Sequence, residues 1–313
     1  MNAAHRTFAS GPTAALLTSA AGVVPRLHLQ HGPIDLIIGA WGDHAAIKRA
    51  YDAAWSRFQT ILTELVDELA TLRQPVDVSR SFNGSVAQRM RGACVVFAPQ
   101  FITPMAAVAG SVADEVLASM MTERSIERIF VNNGGDIAIH LAAGTEMAVG
   151  MAQLPAEPPS PQPVPLDPTT AIPSRHGHRA VIDGTARITA ASGVRGVATS
   201  GWRGRSLSLG IADSVTVLAA TAAQADAAAT MIANAVNIDH PAIVRARACD
   251  RVDDTDLGAR MVTVSVGPLD SRAHRDALDH GEHYAQSVVA RRLIIAAVIT
   301  LAGERRMIGN LPV

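Results

Sequence analysis

Hydroxyls, arginines and small residues crowd into residues 196–230 more densely than a fold alone requires. Thr199-Ser200-Gly201 reads as a turn after a strand ending at Val197-Ala198, with hydroxyls and backbone N–H groups forming a nest suited to an anion. Arg203 and Arg205 flank it and would add paired, charge-assisted bonds to a phosphate. Thr221 then opens a helix, with Gln224 completing a capping box, and the alanines of 222–235 let other backbone come close. On that helix Asp226 and Thr230 are four apart and share a face. A carboxylate and a hydroxyl are too few for a calcium cage but suit magnesium, which keeps waters and takes further ligands from phosphates. The plainer reading of the pair is a buried cap-and-turn network, since a pattern as short as D-x-x-x-T matches often by accident.

A second group is Asn132-Asn133-Gly134-Gly135-Asp136. It reads as a hairpin turn in which glycine supplies positive φ, or as bare backbone that a ligand ring or phosphate approaches, with Asn132, Asn133 and Asp136 as polar partners. Upstream, Thr103-Pro104 opens a helix whose early turns carry Ala106, Ala107, Ala109, Gly110 and Ala113, with Asp114 on the same side as Gly110. A close helix-helix contact explains these small residues as well as a ligand does. Other chemistry-bearing residues carry weaker signals. His176 and His178 read as part of a solvated basic loop end, and Asp250, Asp253, Asp254 and Asp256 as a solvated turn without the glycine and glutamate of an EF-hand. His274, His280 and His283 fall on either side of Gly281, where the helix begun at Ser271 is expected to end.

The elements that position these groups follow from pattern. Leu27–Leu29 and Ile34–Ile38 pair as strands through Gly32-Pro33, with a loop at 39–42. Asp43 caps a helix running to Gln74, whose stripe of Trp55, Phe58, Leu62, Leu65, Leu69 and Leu72 faces the core or a partner helix, leaving a homodimer open. Residues 93–98, 129–132, 137–141, 147–151, 206–209, 215–219 and 261–266 read as strands, the 147–151 strand completing the sheet of the glycine hairpin. The Pro-rich residues 155–173 read as an extended surface loop. The expected fold is α+β, with mixed, largely antiparallel sheets and helices over 43–74, 103–121 and 221–236 packed on them. At 313 residues the chain is one large domain or two lobes.

Composition narrows the partners. Lys plus Arg number 27 against 28 Asp plus Glu, so no global field draws the chain to nucleic acid or a membrane surface. The apolar run at 293–302 is too short to cross a bilayer and reads as core. Cys94 and Cys249, far apart, point to a reducing, cytoplasmic setting.

The small-residue helix, the Gly-Gly-Asp hairpin and the stretch from Thr199-Ser200-Gly201 to Thr230, in this order, resemble the ApbE-like superfamily, whose founding activity is FAD:protein FMN transfer. Its G-Y-A-V-D segment resembles Gly110–Asp114, its N-L-G-G-D-I hairpin resembles Asn132–Ile137, and its A-T-S-G turn and A-D-A-x-x-T helix match Ala198–Gly201 and Ala225–Thr230. The resemblance covers about residues 90–240, and the C-terminal part resembles a particular cytoplasmic branch. It implies a T-fold-like architecture, magnesium held by Asp226 and Thr230, and a flavin-type nucleotide, FAD or FMN, as the small-molecule ligand. Two departures stand out: Ala109 replaces the transferase lysine, and Arg205–Gly210 lacks the transferase histidine. Losing one general acid or base costs about 10²- to 10⁴-fold in rate. The readings are therefore a magnesium-dependent FMN transferase or pyrophosphate-cleaving enzyme acting on a flavin nucleotide, a non-catalytic cofactor-binding protein of a flavin- or pterin-dependent pathway, or a structural partner in a complex.

Overall fold

The computed structural model describes residues 11–17, 25–121, 125–153, 181–204 and 206–311, with no side-chain description at 151–153 and 181–183. The Pro-rich loop at 155–173, His176, His178 and Arg205 lie outside the described residues. The chain is α+β with antiparallel sheets and packed helices, divided into two units.

The first unit takes in residues up to Thr145 together with Arg195–Ala198 and Ala220–Ala227. Strand β1 (Thr13–Leu17) pairs antiparallel with β2 (Arg26–His31), and β2 turns through Gly32, at φ 56°, into β3 (Ile34–Gly42). The expected loop at 39–42 is instead the end of β3, which pairs with residues 126–130. Asp43 caps α1 (His44–Asp67), its Oδ1 accepting the Ala46 N–H at 2.9 Å. The helix breaks at Glu68 before the short α2 (Leu69–Leu72). Phe58, Leu62, Leu65 and Leu72 of the apolar stripe are buried, and each such side chain contributes about 1.5–3 kcal/mol.

Residues 93–98, expected as a strand, are the end of α3 (Ser85–Val95) and the turns after it. Val86, Ala87, Met90, Ala93 and Cys94 are buried at helical spacing, so the apolar run is one face of a helix, started where Glu68 accepts the N–H groups of Asn83 and Gly84. Pro104–Ala107 form a 3₁₀ turn leading into α4 (Val108–Met120). Strands β4 (Ile126–Asn133) and β5 (Asp136–Leu141) form the expected hairpin beside β3.

The second unit holds Glu146–Val194, Thr199–Ala219 and Ala228–Val313. Strand β6 (Glu146–Gln153) does not complete the hairpin's sheet: it pairs with β7 (Val181–Thr189) in a separate two-stranded sheet. Strand β8 (Gly196–Ser200) begins in the first unit, where Gly196 and Val197 pair with Ala138 and Ile137, and extends through Thr199 and Ser200, which the sequence assigns to a turn. Strand β9 (Ser214–Ala219) precedes α5 (Ala222–Ala235), capped by Thr221 as expected. A β10 (Ile243–Arg247) and β11 (Met261–Val266) pair, α6 (Ser271–Ala290), β12 (Ala296–Leu301) and β13 (Glu304–Gly309) follow. Strand β12 is buried along its length between β9 and β13, as the apolar run at 293–302 implied.

Two further expectations change for packing reasons. Residues 206–209 are not a strand, because their backbone is satisfied irregularly. Leu209 N–H donates to Asn234 Oδ1 at 2.9 Å, and Arg245 donates to the Leu209 carbonyl at 2.7 Å. Helix α6 runs straight through Gly281, since a Cβ there would lie 2.3 Å from Val236 Cγ2 and glycine is the close-packing residue, not the stop. Gly210 is likewise required for space rather than for φ: a Cβ would fall 2.0 Å from the Ala233 carbonyl oxygen. Gly210→Ala should therefore cost about 1–3 kcal/mol in urea unfolding, the range of an overpacked core. An unchanged midpoint would show that the 209–211 segment moves aside freely.

Candidate cofactor and cation site

In the first unit the leading turns of α4 and α5 meet backbone to backbone. Gly110 permits it, because a Cβ there would stand 2.3 Å from the Ala222 carbonyl oxygen, and Gly196 has the same relation to Thr221 at 2.1 Å. Each helix then caps the other. Asp114 on α4 accepts the N–H groups of Ala222 at 3.0 Å and Ala223 at 2.9 Å. Asp226 on α5 accepts the Gly110 N–H at 3.0 Å. These first-turn donors have no partner within their own helices, and the carboxylates also face the positive ends of the helix dipoles.

The glycine hairpin joins this corner. Asn133 is buried and its Nδ2 donates to the Ala109 carbonyl at 3.1 Å. Asn132 Oδ1 accepts the Gly135 N–H at 2.8 Å, holding a turn in which Gly134 and Gly135 both have positive φ, 66° and 119°. A Cβ on Gly135 would meet nothing within 4 Å, so the tip of the hairpin is open.

Charge is unbalanced here. Burial pushes the Asp226 carboxyl well above the usual carboxylate range, and Asp136 and Asp114 push the same way against the pull of the Gly110 and Ala109 N–H groups. Burial also raises Asp114, against the N–H groups of Ala223 and Ala222 and the charge of Arg89. A divalent cation would offset this excess, and carboxylate oxygen is the donor that magnesium takes. Among the described residues no three His, Cys, Asp or Glu side chains are grouped to hold a metal by themselves. Any cation at Asp226 would therefore need waters or ligand oxygens to complete its shell.

The other expected site residues belong to the second unit, except Arg205. Thr199 and Thr216 share a hydroxyl hydrogen bond of 2.9 Å. Gly201 has no room for a Cβ, which would lie 2.4 Å from the Asp213 carbonyl oxygen. Arg203 Nε donates to Asp213 Oδ1 at 2.7 Å while its guanidinium lies 4.7 Å from the Trp202 ring centroid. Asp213 Oδ2 also accepts the Ala302 N–H at 2.6 Å, so Arg203 is tied into an anchored ion pair. Thr230 is half-buried on α5, one turn beyond Asp226. His274 and His280 each hydrogen-bond a backbone carbonyl, of Leu301 at 3.0 Å and Asn237 at 2.8 Å.

One network escaped the sequence reading. Glu115, beside Asp114, accepts from Ser85 at 2.6 Å and from Arg57 and Arg89 at 2.9 Å each, and Arg57 also pairs with Glu64 at 2.7 Å. Burial pushes Glu115 up, but the bonds from Ser85, Arg89 and Arg57 prevail and hold it low. A second carboxylate directly after Asp114, set among Val112, Ala113, Val116 and Leu117, is the signal that could have shown it, because a buried carboxylate needs cationic partners.

The sequence model of a family described as "AbpE bacteria" matches residues 15–307. A UPF0280 protein of Methanothermobacter thermautotrophicus is 34% identical over 168 residues, covering 53% of this chain and 55% of that one. A UPF0280 protein of Methanopyrus kandleri is 35% identical over 157 residues, covering 50% and 52%. The chain thus spans about half the length of these relatives.

The raised carboxyls give a signed prediction. An Asp with a raised folded-state pKa lowers stability as pH climbs from its unfolded value through the folded one. Asp226→Asn keeps the shape and an acceptor for Gly110 but removes the charge. Without ligand or divalent metal, the variant should be at least as stable as the wild type at pH 5 and more stable at pH 8, by urea unfolding. A variant less stable than the wild type at pH 8 would mean that the ionised carboxylate strengthens the ligand-free fold.

Proposed function

The chain belongs to the ApbE-like superfamily, and from that premise we propose that it binds a flavin-type nucleotide, FAD or FMN, with magnesium at the corner where α4 and α5 meet. The observation that carries this reading is Asp226: a carboxylate held against the Gly110 backbone, raised by burial and by two neighbouring aspartates. Asp226 would hold the cation, with Thr230 as the hydroxyl that the family motif implies. Magnesium, when bound, offsets negative charge on a phosphate or pyrophosphate. The chain's own residues do the rest. Asp114 and Gly110 fix the backbone of both helices, Asn133 ties the hairpin to Ala109, and the open tip at Gly134-Gly135 leaves room for a ring or phosphate. The Thr199-Ser200-Gly201 segment, with Arg203 and Arg205, is carried as the proposed anion-binding element of the second unit. Arg203 enters it only in so far as it can leave Asp213.

The reaction, if one survives, is FMN transfer to an acceptor protein. A second reading, a cofactor-binding protein without transfer chemistry, is favoured by one observation: the residue before Gly110 is Ala109, whose methyl group can neither donate nor accept a proton. A T-fold-like architecture and a cytoplasmic setting complete the proposal, the latter in keeping with two cysteines, Cys94 and Cys249, far apart in the chain. No described helix is long and apolar enough to cross a membrane.

Thermal melting separates these readings from a purely structural role. FMN or FAD together with magnesium should raise the Tm more than the sum of either alone, as linked binding requires. Asp226→Ala should abolish that synergy while remaining folded. Absence of synergy in the wild type would remove the nucleotide reading. Where synergy is present, mass spectrometry of a co-expressed acceptor distinguishes transfer, which adds FMN, from binding alone.

A further inference from the structure

Helices α4 and α5 cap one another. Asp114 takes two N–H groups of α5, Ala222 and Ala223, and the Oδ2 of Asp226 takes the N–H of Gly110. Ala222 and Ala223 are fully or almost fully buried, so no water replaces Asp114 at those donors without rearrangement. Asp226 lies one turn beyond Ala222, and its carboxylate can go only where that first turn puts it. The fit is tight on the other side too, because the Ala222 carbonyl occupies the space a Gly110 side chain would need. Arg89 joins Asp114 to the Glu115 network: it bonds Glu115 at 2.9 Å and adds favourable charge to Asp114. That network in turn holds α1, α3 and α4 together through Arg57, Ser85 and Glu115.

We propose that Asp114 is the positioning residue of the cation corner: by accepting both leading N–H groups of α5 it holds Asp226 against Gly110, and without it Asp226 lets go. Asp114 touches neither cation nor nucleotide in this arrangement and acts through the helix it caps. The functional meaning of the inference rests on the nucleotide and magnesium reading, but the positioning itself is a property of the ligand-free protein. Gly110 is its reporter. Its N–H is in the first turn of α4, where intrahelical partners are lacking, so its protection follows the bond to Asp226.

The experiment is amide hydrogen exchange by NMR on the ligand-free protein, comparing the wild type with Asp114→Asn and Asp43→Ala. The second variant loses an ordinary helix cap of α1 in the same unit. Asp114→Asn should speed exchange about tenfold at Ala222, Ala223 and also Gly110, while Asp43→Ala should leave all three unchanged. Acceleration at Ala222 and Ala223 with Gly110 unaffected would overturn the proposal, since Asp226 would then hold its place unaided. No acceleration at any of the three, or equal acceleration in Asp43→Ala, would overturn it as well. Asp114→Ser, which retains one acceptor, is read in the same way should the amide fail to fold. In parallel, the magnesium concentration that half-saturates the FMN-dependent Tm shift should rise about tenfold in Asp114→Asn and stay put in Asp43→Ala. A wild type with no magnesium response would sink the nucleotide reading, while the exchange at Gly110 still decides for or against positioning.

Discussion

Everything at the candidate site depends on how closely the first turns of α4 and α5 approach. Two helix starts facing one another are an awkward pair: both present unpaired N–H groups and both carry partial positive charge. The absence of a Cβ at Gly110 brings the two backbones into contact, Gly196 of β8 does the same for Thr221, and an aspartate from each helix satisfies donors on the other. A larger side chain at Gly110 would separate the helices, and an apolar side chain at Asp114 or Asp226 would leave buried N–H groups without these partners. Gly110 and the start of the alanine run at Ala222-Ala223 are thus needed for the same contact.

That solution satisfies hydrogen bonds more completely than charge. Two carboxylates answer the N–H groups, but burial raises both Asp114 and Asp226, and the charges of Asp136 and Asp114 raise Asp226 further. The contrast with Glu115 is instructive. Burial pushes it up too, yet two guanidinium groups and a serine hydroxyl hold it low, so that carboxylate is balanced by the protein itself. Adjacent residues of one helix therefore have opposite electrostatic characters, Glu115 held low by its cationic partners and Asp114 raised by burial.

Much of this was readable in the chain because the signals were local. The caps at Asp43 and Thr221, the Gly134-Gly135 hairpin, the stripe on α1 and the apolar core strand β12 follow from short-range rules, and the structure follows them. Errors arose where tertiary contact outweighed local pattern. Residues 93–98 look like a buried strand because a helix end facing the core is apolar for the same reason. Gly281 looks like a helix stop because sequence does not reveal Val236 pressed against it. At the site, Asp226 and Gly110 were legible as separate motifs, but the bond between them joins residues 116 positions apart. Arg203 was legible as a cation but not as the partner of Asp213, which lies across a turn and is itself anchored by Ala302.

The difference between holding a nucleotide and transferring part of it then rests on a few side chains around a well-specified backbone. The capping pair, the hairpin tie at Asn133 and the open glycine tip require only that α4, α5, β4 and β5 keep their places, and none of them depends on a proton-transferring group. Ala109 occupies the position before Gly110 without disturbing any of these bonds, since its carbonyl, not its side chain, meets Asn133. The side chain at 109 can therefore differ without breaking the bond between the hairpin and α4. Membership of the superfamily accordingly argues more strongly for the ligand than for the reaction.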